Sequence, residues 1–113
     1  MSLCSFEGAS GRYYDYASLD FKNRAAFPMG GGNYVFTRLS GGVLEVLCAG
    51  ETDSMWSVFV STTLWDTAKR QFGATTPFIH PNPDQQARQM ETSDIVRKYH
   101  PPMNEDLAEA RTR

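Results

Sequence analysis

Two cysteines, two histidines and a scatter of charged side chains are where chemistry would first be sought in this chain. Cys4 and Cys48 lie far apart, and neither has the close spacing of a zinc or redox pair. His80 and His100 are isolated, whereas a zinc site needs three or four convergent ligands. Neither a metal centre nor a disulfide framework is expected, and unpaired thiols fit a reducing cytoplasm. Gly30-Gly31-Gly32 could bring backbone close to a phosphate. It lacks the Gly-Lys-Ser/Thr ending and helix of a P-loop, so it reads as a hinge. His80, between Ile79 and Pro81, reads as a strand-end residue rather than a ligand or base.

Charge limits the partners. Eleven Lys and Arg face thirteen Asp and Glu, a formal net charge of −2. Dedicated nucleic-acid domains are usually basic, so DNA or RNA would need a local basic stripe. Arg38, Lys69, Arg70 and Arg88 are the candidates for one, with Arg97 and Lys98 further along. Between Ala68 and Lys98, five basic residues meet three acidic ones, and solvated helix faces explain so small an excess. Met55-Trp56-Ser57-Val58-Phe59-Val60 is unusually apolar. It is either core or a partner-binding or dimer patch centred on Trp56 and Phe59.

These residues need a scaffold. A chain of 113 residues, 41% hydrophobic and 21% charged, supports one folded domain with a modest core. It has no apolar run long enough to span a bilayer, and no membrane association is expected. Residues 1–30 read as an irregular, aromatic-rich arm packed on the body through residues such as Tyr14, Tyr16, Phe21 and Phe27. Asn33–Arg38 and Val43–Ala49 are strand-like and flank a Gly-rich turn, a β-hairpin signal. The second run is almost wholly apolar, which suits a central strand. Residues 54–73 have helical periodicity in two pieces, with cap candidates at Ser61-Thr62-Thr63 and a stop at Gly73. Thr75–His80 reads as a third strand, at an edge or with Pro77 near its start. A helix follows from about Asp84 to Tyr99, ended by Pro101-Pro102. Its apolar residues form no narrow stripe, which predicts contacts on more than one side. Residues 105–113 read as a charged tail. The fold class expected is α/β or α+β, a small sheet with helices packed on it.

Gly32-Asn33-Tyr34, Cys48-Ala49-Gly50 closing the next strand, and Thr52 two residues later have a recognisable frame. Leu64–Arg70, Gly73-Ala74-Thr75 and the ending Pro101-Pro102-Met103-Asn104 extend it. In these motifs the chain resembles the GIY-YIG nuclease superfamily from about Gly32 to Asn104. The resemblance implies a three-stranded antiparallel sheet flanked by helices, over residues 31–104. It also implies phosphodiester cleavage by a tyrosine, an arginine and one divalent metal held by a glutamate. The tyrosine activates water, the metal neutralises developing charge and the arginine clamps phosphate.

The site so implied is incomplete. Tyr34 matches the first tyrosine, and Cys48 stands where the second should be. Val58 falls at the arginine position and Thr92 at the metal glutamate. Glu91 is adjacent, but one residue turns about 100° around a helix. The expectation is a degenerate, catalytically silent member that serves as an interaction module for a protein partner or a second copy, with no cofactor. The alternative is a nucleic-acid-binding protein or weak endonuclease using Tyr34, Glu91 and Mg²⁺.

Overall fold

The structure is a computed structural model in which residues 3–19, 29–60 and 63–105 are described. Five strands and three principal helices follow one another as β1 (Leu3–Glu7), β2 (Tyr13–Ser18), β3 (Gly32–Ser40), β4 (Val43–Thr52), α1 (Met55–Val60), α2 (Leu64–Phe72), β5 (Thr76–Pro81) and α3 (Gln85–Tyr99). Residues 102–105 form a further helical turn. The architecture is mixed α+β. The strands form one antiparallel sheet in the order β1-β2-β5-β3-β4.

The sheet is larger than the three strands expected. Residues 3–18 are not an irregular arm, because β1 and β2 pair as a hairpin and β2 adds to β5. Alternation explains why: Phe6, Tyr14 and Tyr16 fall on one face, while Ser5, Tyr13 and Asp15 are exposed on the other. Phe21 and Phe27 lie outside the described residues, as do 106–113 of the expected tail.

Two strand positions are also exchanged. β5 is interior, between β2 and β3, and Pro77 lies near its start. β4 is the edge strand despite its apolar run. Its faces are covered by helices on both sides, and beyond its edge Asn104 pairs with the Ala49 backbone in both directions. Layer burial, rather than a central position, accounts for the apolar run.

The sheet has two working faces. Helix α3 covers one, where Phe6, Tyr16, Val35, Val46, Ala49, Phe78 and Ile95 form a core. Edge-on contacts of Phe6 with Tyr16, Phe78 and Tyr99 organise it, each adding about 0.5–1.5 kcal/mol beyond burial. Helices α1 and α2 cover the other face with Val58, Trp65 and Ala68, against Phe36, Leu47 and Cys48. Met55 joins Leu19 and Ile79 in a third cluster. Gly73, the expected stop, ends α2 in the left-handed conformation. At α3, Asp84 accepts from the Ala87 N–H and caps the helix start.

Candidate functional site

Helix α3 explains its own weak amphipathicity. Its buried side is one broad face, and Arg88, Glu91 and Asp94 are buried there beside Ile95. Contacts on several sides, expected from the scattered apolar residues, are not what the helix makes: Met90 is 68% exposed. An apolar-periodicity reading cannot register a buried face built from charges.

Those charges meet a row of polar side chains on the sheet. Asn33 pairs in register with His80 on one side and Glu51 on the other. Tyr16 extends the row on β2. Alternation places all four beneath α3. Glu91, 4% exposed, accepts from the Tyr16 hydroxyl, and its oxygens lie 3.0 and 3.1 Å from His80 Nδ1. Burial, then the Glu91 charge and hydrogen bond, raises the Tyr16 pKa, so the phenol stays protonated and donates. Asn33 Nδ2 donates to the Arg88 carbonyl at 2.9 Å and to Thr92 Oγ1 at 3.0 Å. Arg88 donates to Glu51 at 2.9 Å, to the Asn82 carbonyl at 3.0 Å and to Asp53. Hydrogen bonding to Glu51 raises its pKa further.

A second cluster closes the seam beside the β1–β2 loop. Asp94 accepts from Ser10 N at 2.8 Å, Ser10 Oγ at 2.6 Å and the Tyr14 hydroxyl at 2.7 Å. These bonds, with the Ser10 hydroxyl first, hold its pKa down at about 2 against desolvation. Gly8 is required there, because a Cβ would collide with the Asp94 carboxylate. An open groove of about 740 Å³ runs between this loop and α3. Glu91 and Asp94 reach its floor, and Arg12, Met90 and Arg97 are among its walls.

The residues named by the family resemblance gather elsewhere. Tyr34 and Cys48 lie on the α1/α2 face, opposite Glu91. Tyr34 stacks beside Phe36 at 5.2 Å, and Gly50 leaves space for its hydroxyl, since a Cβ there would strike it. Burial, then the nearby Cys48 and Glu51, raises the Tyr34 pKa. Burial alone pushes the Cys48 thiol up to about 12. Val58, in the arginine position, is buried in the same apolar cluster. Thr92, in the glutamate position, is held by Asn33. These residues do not fit the metal the resemblance implies: Thr92 offers a hydroxyl, and Glu91 is engaged on the other face by Tyr16 and His80.

Several other expected sites change character. Arg88 is 2% exposed and ion-paired twice, so it offers nothing to nucleic acid. Arg38 pairs with Glu45, and Lys69 with Asp66 and the Trp65 ring. Arg70 is exposed near the end of α2. Trp56 and Phe59 are half-buried and pack onto the Leu19–Met55–Ile79 cluster, so the 55–60 run serves chiefly as core. His80 is more than a strand end, because it binds the buried Glu91.

Sequence reasoning missed Tyr14, Tyr16, His80 and Asp94 as one polar layer. The available signal was charge at Arg88, Glu91 and Asp94, spaced three residues apart on one side of a helix. Among the described residues no group of three or more His, Cys, Asp and Glu could hold a metal ion. None of their helices is long and apolar enough to cross a membrane.

No family model, curated protein or solved structure matches this chain.

Proposed function

We propose that this chain is a non-enzymatic interaction module on a GIY-YIG-like scaffold. One observation carries the reading: the positions that would assemble nuclease chemistry are packed into hydrophobic core. Tyr34, Cys48 and Val58 belong to the cluster beneath α1 and α2, while the carboxylate of Glu91 lies across the sheet. Burial raises the pKa of this phenol and this thiol, which keeps both protonated near neutral pH and disfavours either as a base toward water. A valine cannot clamp a phosphate oxygen.

The scaffold likeness draws support from element order and from what the motif residues do. The β3–β4 hairpin, the α1–α2 pair, β5 beside β3, and α3 follow in the order that the resemblance implies. Gly50 admits the Tyr34 hydroxyl. Thr52 Oγ1 bonds both the N–H and the carbonyl of Ser54, turning the chain into α1. Asn104 ties the last turn to β4. A module of this kind needs no cofactor, and the free thiols Cys4 and Cys48 suit a cytoplasmic setting.

The test is cleavage of labelled branched, flapped and duplex DNA with Mg²⁺ or Mn²⁺, with Tyr34→Phe alongside. The expected result is intact substrate at high protein excess. Cleavage that Tyr34→Phe abolishes would overturn the reading in favour of a divergent endonuclease.

A further inference from the structure

We propose that the groove between the β1–β2 loop and α3 is the module's docking site, and that its occupant is an extended acidic polypeptide segment. The inference rests on the interaction-module reading for the existence of a partner, and on the groove's own chemistry for its kind.

The groove's acids are already satisfied from within. Asp94 is held by two donors of Ser10 and the Tyr14 hydroxyl, and Glu91 by Tyr16 and His80. Its cations are held less fully. Arg12 has no ion-pair partner among the described residues. Arg97, 67% exposed, only touches Asp94 at 3.5 Å and keeps most of its fork free. One guanidinium therefore stands on the loop wall and one on the helix wall, each able to receive a carboxylate.

The rest of the lining suits a peptide backbone. Gln86 and Gln89 each present a donor and an acceptor, and Ser93 adds a hydroxyl. The exposed Met90 supplies an adaptable apolar contact. Nucleic acid fits less well. Two cations make few phosphate contacts, the chain's net charge is −2, and the Tyr14 hydroxyl is committed to Asp94.

The experiment is an amide NMR titration of the full chain at low salt. The probes are a capped peptide of alternating Glu and Ser, its Lys–Ser counterpart and an oligothymidylate. The Glu–Ser peptide should shift amides around Arg12, Tyr14 and residues 86–97, and added salt should weaken binding. Arg12→Gln with Arg97→Gln should weaken it roughly tenfold, from two exposed charge pairs. Both residues are exposed, so unchanged spectral dispersion in the variant would show an intact fold. Absence of localised shifts at about 1 mM peptide, equal binding by the double variant, or equal binding of the Lys–Ser peptide would each overturn the proposal. Stronger shifts from the oligothymidylate at the same amides would overturn it in favour of nucleic acid. DNA cleavage in the nuclease assay would refute the module reading separately, leaving the titration to judge the groove.

Discussion

Removing the Tyr16 hydroxyl tests whether the polar layer under α3 is a set of coupled bonds. Tyr16→Phe keeps the ring, so the edge-on contact with Phe6 at 5.3 Å survives and no large cavity opens. What is lost is the donor to Glu91, a carboxylate 4% exposed that, among the described residues, retains His80 as its side-chain hydrogen-bond partner. Hydrogen bonds to charged groups contribute about 1.5–3 kcal/mol, so stability should fall by that amount. At this chain length the melting temperature should drop by ~6–12 °C. Urea unfolding at neutral pH, with fluorescence and far-UV circular dichroism as probes, measures the change. The same substitution in a Glu91→Gln background should cost only about 1 kcal/mol, because the acceptor is then neutral. The double-mutant cycle isolates the charge-dependent part. A cost below about 0.5 kcal/mol in the wild-type background, or equal costs in both, would refute a charge-assisted bond at Glu91.

Three further outcomes follow from the same structure. Asn104→Ala removes bonds of 2.9 and 2.8 Å to the Ala49 N–H and carbonyl. It should cost about 1–3 kcal/mol and speed hydrogen exchange at the Ala49 amide, whereas unchanged exchange would mean the edge is protected otherwise. Cys48, 1% exposed with its pKa pushed up to about 12, should resist a thiol reagent until the chain unfolds, while the half-buried Cys4 reacts first. Two thiols reacting together in the native state would contradict that. Asp94 has a folded-state pKa of about 2, below its ordinary value of 3.8. Its stabilisation is therefore complete above the ordinary value and lost as pH falls through the folded one. Asp94→Asn should flatten the acid limb of a stability–pH curve between roughly pH 4 and pH 2, and an unchanged limb would assign acid unfolding to other carboxylates.

Much of the candidate site was hidden for a definable reason. Arg88, Glu91 and Asp94 are charged, so on their own they indicate a solvated face. They are buried because Tyr14, Tyr16, His80, Glu51 and Asp53 satisfy them from three strands and a loop. Tyr16 and Glu91 are 75 residues apart in the chain. No local pattern links them, and the aromatic N-terminal segment gave no sign that its tyrosines would arrive as hydrogen-bond donors. Arg88, one of the basic candidates, was hidden in the same way, since it is an internal strut.

Local physics settled a definite share of this protein from sequence alone. The β3–β4 hairpin, the Gly73 stop and the extent of α3 follow from turn residues, periodicity and caps, which act over a few positions, whereas Thr63 makes no side-chain cap bond at the start of α2, and Ser61 and Thr62 lie outside the described residues. That Val58 offers no guanidinium and Thr92 no carboxylate was also visible in the sequence, wherever they sit. Tertiary structure alone decided that residues 3–18 enlarge the sheet, that β5 is interior and β4 is at the edge, and that Tyr34 and Glu91 face opposite sides. Strand order and sheet face are set by pairing between distant segments. A side chain's partners there depend on which segments meet, and that is a property of the whole chain's packing.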